Sequence, residues 1–348
     1  MWHLRARLIT VLDAVGVLDT AMVVRKYVRL PYLPIVTYHR LGIPARDAVD
    51  LDDSVVDATP TDFDKQVALM SSRFSLVGID ELLAHFSGEK QLPKNPAILT
   101  FDDGYKACFD HALPTLKKYN AKAIFFISTS HMSDRIAFWW DRVNYLVKRS
   151  TKTRIELSYP EGKVYDLTNG NRAKIIQQIL DVIKESYALD VERYLQELGT
   201  ALDVEWTREN DRRITDDILM TWDQVRTLRK EGMDVESHTH THRVLPTLTP
   251  EDLRKELQGS KKILEEQLDE RCRAVAYPVS LELSKHKAIA DEVKLAGYDL
   301  GFSTSRGIGA LGPDADPLDI QRIWVDPNLP HNFFRAALAV PHLTYRRR

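Results

Sequence analysis

The sequence predicts an α/β fold: short parallel strands joined by helices close into a barrel, and a cap is inserted in its middle. Three observations carry this reading. Apolar runs of strand length, such as residues 96–101 and 121–127, alternate with stretches of helical periodicity, the rhythm of βαβ units. One of these runs, and the strand-length stretch 233–237, end in polar clusters, Asp102-Asp103-Gly104 and His238-Thr239-His240-Thr241-His242, at the strand end where parallel α/β folds gather their chemistry. Between the clusters, residues 131–220 abandon the rhythm.

Taken in order, residues 1–32 form an N-terminal segment, helical to about residue 29, in which Leu4, Leu8, Val11, Leu12, Val15 and Leu18 recur at helical spacing. Arg5, Arg7, Arg25, Lys26 and Arg29 outnumber Asp13 and Asp19. A basic amphipathic segment of this kind either packs on its own domain or lies on an anionic membrane. The two acids interrupt any signal-peptide pattern, and no stretch reaches the ~20 apolar residues of a membrane span. Residues 33–40 read as the first barrel strand, ending at Tyr38-His39. Residues 61–85 predict a helix capped by Thr61, a short strand near 74–77 and a second helix. A helix through Pro114 leads to the strand at 121–127.

Within the cap, residues 138–142 open a helix, 155–165 alternate and turn at Glu161-Gly162 like a hairpin, and 171–198 are helical. Trp139 and Trp140 either pack the cap or stack on a sugar face. The barrel resumes at Thr221 with a helix over 222–230, a stop at Gly232 and the histidine-bearing strand 233–237. Thr249-Pro250-Glu251 starts a helix that runs to about Leu268, and strand 273–278 follows. A helix over 284–296 and strands 298–303 and 320–325 complete the barrel by residue 335, leaving 336–348 as a tail.

Successive strand side chains face opposite ways, so Asp102 and Asp103 need not share a task. One can hold a metal while the other stays free as a base, although Asp-Asp-Gly is also ordinary turn chemistry. Three histidines within five residues favour metal binding, and imidazole with carboxylate suits zinc or a similar divalent ion. The chain has 348 residues, 44% hydrophobic and 28% charged, with net charge −2. That is ordinary for a soluble globular protein, and the net charge predicts no general affinity for nucleic acid or anionic surfaces. Cys108 and Cys272 read as reduced, buried small hydrophobes.

Thr100-Phe101-Asp102-Asp103-Gly104 resembles the first motif of the polysaccharide deacetylases. His238-Thr239-His240-Thr241-His242 resembles their second, a His, a Ser or Thr, two open positions and a His. The likeness covers roughly residues 33–335. It implies a distorted parallel (β/α)7-type barrel and metal-dependent removal of an N-acetyl group from a sugar in a polysaccharide or glycoconjugate. The implied metal ligands are Asp103, His238 and His242 around one divalent ion, with zinc expected; the implied base, acting on water, is Asp102. Tyr277-Pro278-Val279-Ser280 stands where related members carry Tyr-Pro-Tyr-Gly, as groove wall and oxyanion donor. Pro278 lacks an N–H, so Val279 is the donor. His39 is the first candidate for the general acid and His331 the second; the alternative for His39 is a structural role.

Arg322 either orients Asp102 through a bidentate pair or forms a structural salt bridge. His240 is left to local geometry. The competing readings are a glycoside hydrolase, which needs two separated carboxyls, and a carbohydrate-binding protein without catalysis. The expected location is cytoplasmic, with residues 1–29 either packed on the domain or a partner, or lying at the inner face of the membrane.

Overall fold

Seven short segments pair in parallel: β1 (Ile35–Tyr38), β2 (Pro96–Phe101), β3 (Ile124–Ile127), β4 (Asp234–Ser237), β5 (Ala274–Ala276), β6 (Leu300–Ser303) and β7, in two pieces, Ile320–Gln321 and Ile323–Trp324. The computed structural model describes residues 2–28, 30–43, 50–168, 170–279, 281–304, 308–312, 314–325 and 330–344. Neighbours run β1-β2-β3-β4-β5-β6, and β7 closes the circle. Its first piece pairs with β6 (Phe302 with Ile320) and its second with β1 (Val36 with Ile323). The change of partner falls at Arg322, whose N–H donates to the Ser303 carbonyl. A short strand, Ser75–Leu76, adds to β2 from outside.

The alternation of strand side chains sorts the core into two layers. Ile35, Ile98, Ile124, Phe126, Ala274, Ala276, Leu300, Phe302 and Ile320 pack together, at least one from each strand except β4, as expected of a barrel interior. The alternate residues, among them Val36, Leu99, Phe101, Phe125 and Val275, pack into the larger cluster that includes the helices. Burial on both faces is why strands such as β2 and β3 read as apolar runs; β4, Asp234-Val235-Glu236-Ser237, does not.

The helix after β1 is Pro60–Arg73, and its cap is Thr59, whose side chain accepts from the Asp62 N–H. Thr61 is therefore not the cap: proline fits the first helical turn, so the cap is the residue before it. The helix Trp222–Lys230 opens with a Thr221/Gln224 capping box, and Gly232, at φ 84°, follows its end. The cap comprises helix Trp139–Arg149, the antiparallel pair Arg154–Leu157 and Lys163–Asp166, and helices Arg172–Glu185, Val191–Leu202 and Arg208–Ile218.

The N-terminal segment is two helices, Trp2–Ala14 and Val17–Val24, because Gly16 at φ 76° turns the chain between them. Ile9, Leu18 and Met22 are buried in the main core. Helix His331–Ala339 crosses the expected tail boundary at 336, since Phe333, Phe334, Ala336, Ala337 and Leu338 are buried. Arg335 joins it to the N-terminal helices through Asp13 at 3.0 Å and Asp19 at 2.6 Å. Arg346 to Arg348 lie outside the described residues.

Candidate active site

Asp102 and Asp103 follow the last residue of β2, and the chain turns between them. Asp102 continues the alternation of Ile98 and Thr100, so its carboxylate faces the barrel interior. There Arg322 donates from Nη1 to Oδ1 at 2.8 Å and from Nη2 to Oδ2 at 2.7 Å. Both side chains are buried. Burial opposes the charge on Asp102, but Arg322, then His238, outweigh it and hold the carboxyl below its ordinary range.

Asp103 has φ 72°, a left-handed conformation that aspartate tolerates better than most residues. Its Oδ1 lies 3.4 Å from His238 Nε2 and 3.3 Å from His242 Nε2. That oxygen is buried without a hydrogen-bond partner. Burial raises the carboxyl, yet the facing histidines, His242 foremost, bring it well below the usual value.

The histidine loop is not extended. Thr239 at φ 62° and His242 at φ 53° reverse the chain, bringing the rings of His238 and His242 to 4.7 Å between centroids. Glu256 fixes this loop by accepting from the N–H of His240 at 2.9 Å, from the N–H of Thr241 at 2.8 Å and from the Thr241 hydroxyl. His238 Nδ1 donates to the Ala276 carbonyl at 2.8 Å. This fixes the tautomer and leaves Nε2 as a lone pair. Burial pushes that imidazole down to about 4. One donor atom from each of Asp103, His238 and His242 lies within 4.8 Å of the others. An orphaned buried carboxylate oxygen and a preset imidazole lone pair make this donor set fit a divalent ion. His240 turns away, its Nδ1 hydrogen-bonded to Thr129 Oγ1 at 2.9 Å.

His39 follows β1 at the rim. Its Nε2 is 3.9 Å from Asp102 Oδ2, and its Nδ1 is 3.1 Å from Asp57 Oδ2. Asp57 also accepts from the His39 N–H and from Trp324 Nε1 at 2.7 Å. Desolvation lowers the imidazole, but Asp57 foremost, with Asp103 and Asp102, outweighs it and raises it to about 9. Asp57 was missed in the sequence; its one signal is an acid inside the apolar run Val55-Val56-Asp57-Ala58. His331 stands at the start of its helix near Arg335, Asp13 and Lys65, outside the groove lining.

The groove around these residues has a volume of about 310 Å³. Tyr277 and Val279 line it, whereas Pro278 is buried and not part of the lining. Ser280 lies outside the described residues. Tyr277 donates its hydroxyl to the Leu318 carbonyl at 2.7 Å; a Cβ on Gly301 would meet that hydroxyl at 2.1 Å, so glycine is required there. Val279 sits at φ 57°, a strained conformation for a β-branched residue.

The cap forms the other wall. Trp139 Nε1 donates to the His242 carbonyl at 3.2 Å, and Trp140 meets the His242 ring at 4.6 Å between centroids. Both tryptophans are nearly buried, so they wall the site and brace a candidate ligand at once. Leu180 and Lys184 reach the same groove from the next helix.

A family model for polysaccharide deacetylase matches residues 89–183 and 190–301. "Putative polysaccharide deacetylase YxkH" of Bacillus subtilis is 27% identical over 117 residues, 34% of this chain and 40% of that protein. This chain thus matches less than half the length of that relative. Among solved structures, the deacetylase PplD of Streptococcus pyogenes, in complex with acetate, superposes with TM-score 0.56 at 19% identity, over 87% of this chain and 97% of that one. IcaB from Ammonifex degensii gives 0.54 at 17% identity, over 89% and 97%. These two likenesses bear on the fold, and the fold agrees. With its two motifs at the ends of β2 and β4, on either side of β3, and a family model spanning most of the barrel, the chain belongs to the polysaccharide deacetylase family.

Proposed function

We propose that this protein hydrolyses the N-acetyl group of an acetylated amino sugar within a polysaccharide or glycoconjugate. Family membership supports sugar deacetylation. The observation that carries the finer reading is the division of the adjacent acids. Asp103 converges with His238 and His242 within 4.8 Å, while Asp102 is clamped beside them by Arg322. Bound there, a divalent ion, zinc by the nitrogen-rich donor set, supplies Lewis acidity toward water and the acetyl carbonyl.

In this reading Asp102, kept ionised by Arg322, takes the proton of the attacking water. The Val279 N–H is assigned to the tetrahedral oxyanion, because a backbone donor does not depend on its side chain. His39, held as imidazolium by Asp57, gives its proton to the amine as the C–N bond breaks and acetate leaves. Arg322 is a positioning residue that acts through Asp102. The groove walls contributed by Tyr277, Val279 and the cap receive the sugar.

A glycosidase would need two carboxyls flanking one glycosidic bond. Here one acid is turned onto two histidines and the other onto an arginine. The test is acetate release from N-acetylglucosamine oligomers by zinc-loaded protein, with Asp102→Asn as the control. Release that requires both metal and Asp102 is expected. Release by the variant at the wild-type rate would remove Asp102 as the base.

A further inference from the structure

The N-terminal helices bury one face and leave the other apolar. Ile9, Leu18 and Met22 are buried in the main core, and the two helices pack on helix His331–Ala339. Outward stand Leu8, Val11, Val15, Val24, Tyr27 and Val28, exposed by 46, 57, 66, 49, 79 and 50%. Leu8, Val11 and Val15 fall at i, i+3 and i+7, one stripe along the first helix and the turn after it. Outside residues 8–28, the exposed large hydrophobics among the described residues are isolated in sequence. A docked helix ordinarily shows water a polar outer face, so this concentration of exposed apolar side chains marks an interaction surface.

The charges of the segment are sorted as well. Both acids, Asp13 and Asp19, turn toward Arg335. Arg7 and Lys26 are exposed, with no carboxylate partner among the described residues. Apolar side chains flanked by outward cations, with both acids of the segment already neutralised by arginines, complement an anionic lipid surface. A second copy of the chain on the same ridge would bring like charges together.

We infer that residues 7–28 form a docking face that lies on an anionic bilayer. Among the described residues no helix is long and apolar enough to cross a membrane, so the contact is with the surface. Arg25, within the segment, donates to Asn95 at 2.8 Å. Asn95 precedes β2 at the end of the barrel opposite Asp102. Docking therefore leaves the groove open.

The test is co-sedimentation of the full chain with vesicles of phosphatidylglycerol and phosphatidylcholine, and with phosphatidylcholine alone. Wild type should bind the anionic vesicles preferentially, and less so with added salt. Val15→Asp with Tyr27→Asp, at the two most exposed positions of the ridge, should lower binding about tenfold or more. Arg7→Gln with Lys26→Gln should lower it about fivefold per charge, without altering an apolar contact. If the aspartate pair compromises folding, judged by the loss of a cooperative melt, the glutamine pair and the wild type still decide. Wild type left in the supernatant beside anionic vesicles overturns the proposal. So does unchanged binding by both double variants. Loss of a wild-type dimer in the aspartate pair, without vesicle binding by either, would assign the ridge to self-association and also overturn it.

Discussion

His39 has a carboxylate near each ring nitrogen, Asp57 at 3.1 Å from Nδ1 and Asp102 at 3.9 Å from Nε2. Against the desolvation that would lower it, Asp57 foremost, with Asp103 and Asp102, raises it to about 9. A raised folded pKa means that the protonated form persists up to that value. If this form donates the proton, kcat/KM falls on an alkaline limb near pH 9. Asp57→Asn should move that limb down toward the ordinary imidazole value of ~6.5; an unmoved limb would exclude His39 as the acid. Asp141 offers a second titration, beside the groove wall at Trp140 and Asp52. It accepts the Asp52 N–H at 2.9 Å through Oδ1, while its buried Oδ2 has no partner. Burial pushes it from 3.8 to about 7. Between those values the folded protein holds a proton that the unfolded chain has released, so this group's contribution to stability declines as pH rises. Asp141→Asn keeps an acceptor for the N–H and removes the titration. Its stability relative to wild type should therefore rise between about pH 4 and 7, by at most ~1.4 kcal/mol per unit. Urea midpoints at several pH values measure this, and a constant difference would contradict it.

At the scale of elements, β7 ties the barrel to the chemistry. Its two pieces pair on opposite sides, and the residue between them sends its guanidinium to Asp102. Arg322→Met leaves a buried carboxylate unpaired and should cost about 3–5 kcal/mol in denaturant unfolding. Adding Asp102→Asn should recover part of that loss, and additive losses would argue against the pair. The sequence made the strands legible because burial on both faces writes continuous apolar runs, as at Pro96–Phe101 and Ile124–Ile127. It made the histidine cluster legible because three such residues in five are seldom structural. The rest depended on information that local pattern does not hold. The split of β7 follows from closing the barrel. The reversal at Thr239 and His242 is made without a glycine to announce it. Val279 takes a left-handed conformation that its type disfavours. Thr59 caps where Thr61 was expected, and Gly16 divides one expected helix in two, although both signals, a proline and a glycine, were present.

Across the whole molecule, the groove is a joint product of distant segments. The barrel rim supplies Asp102, Asp103, His39 and Arg322; the histidine loop supplies His238 and His242; the cap brings Trp139, Trp140, Leu180 and Lys184 to the opposite wall. The central claim is that two adjacent aspartates divide the labour, one holding the ion and one acting on water. The most direct measurement is the metal content and acetate release of zinc-loaded wild type, Asp102→Asn and Asp103→Asn, side by side. Asparagine suits the φ of 72° at position 103, so the backbone is kept. The account predicts one ion per chain and a turnover lowered by a factor of about 100 or more in Asp102→Asn. It predicts loss of both ion and turnover in Asp103→Asn. Loss of the ion from Asp102→Asn, or full metal with normal turnover in Asp103→Asn, would contradict it.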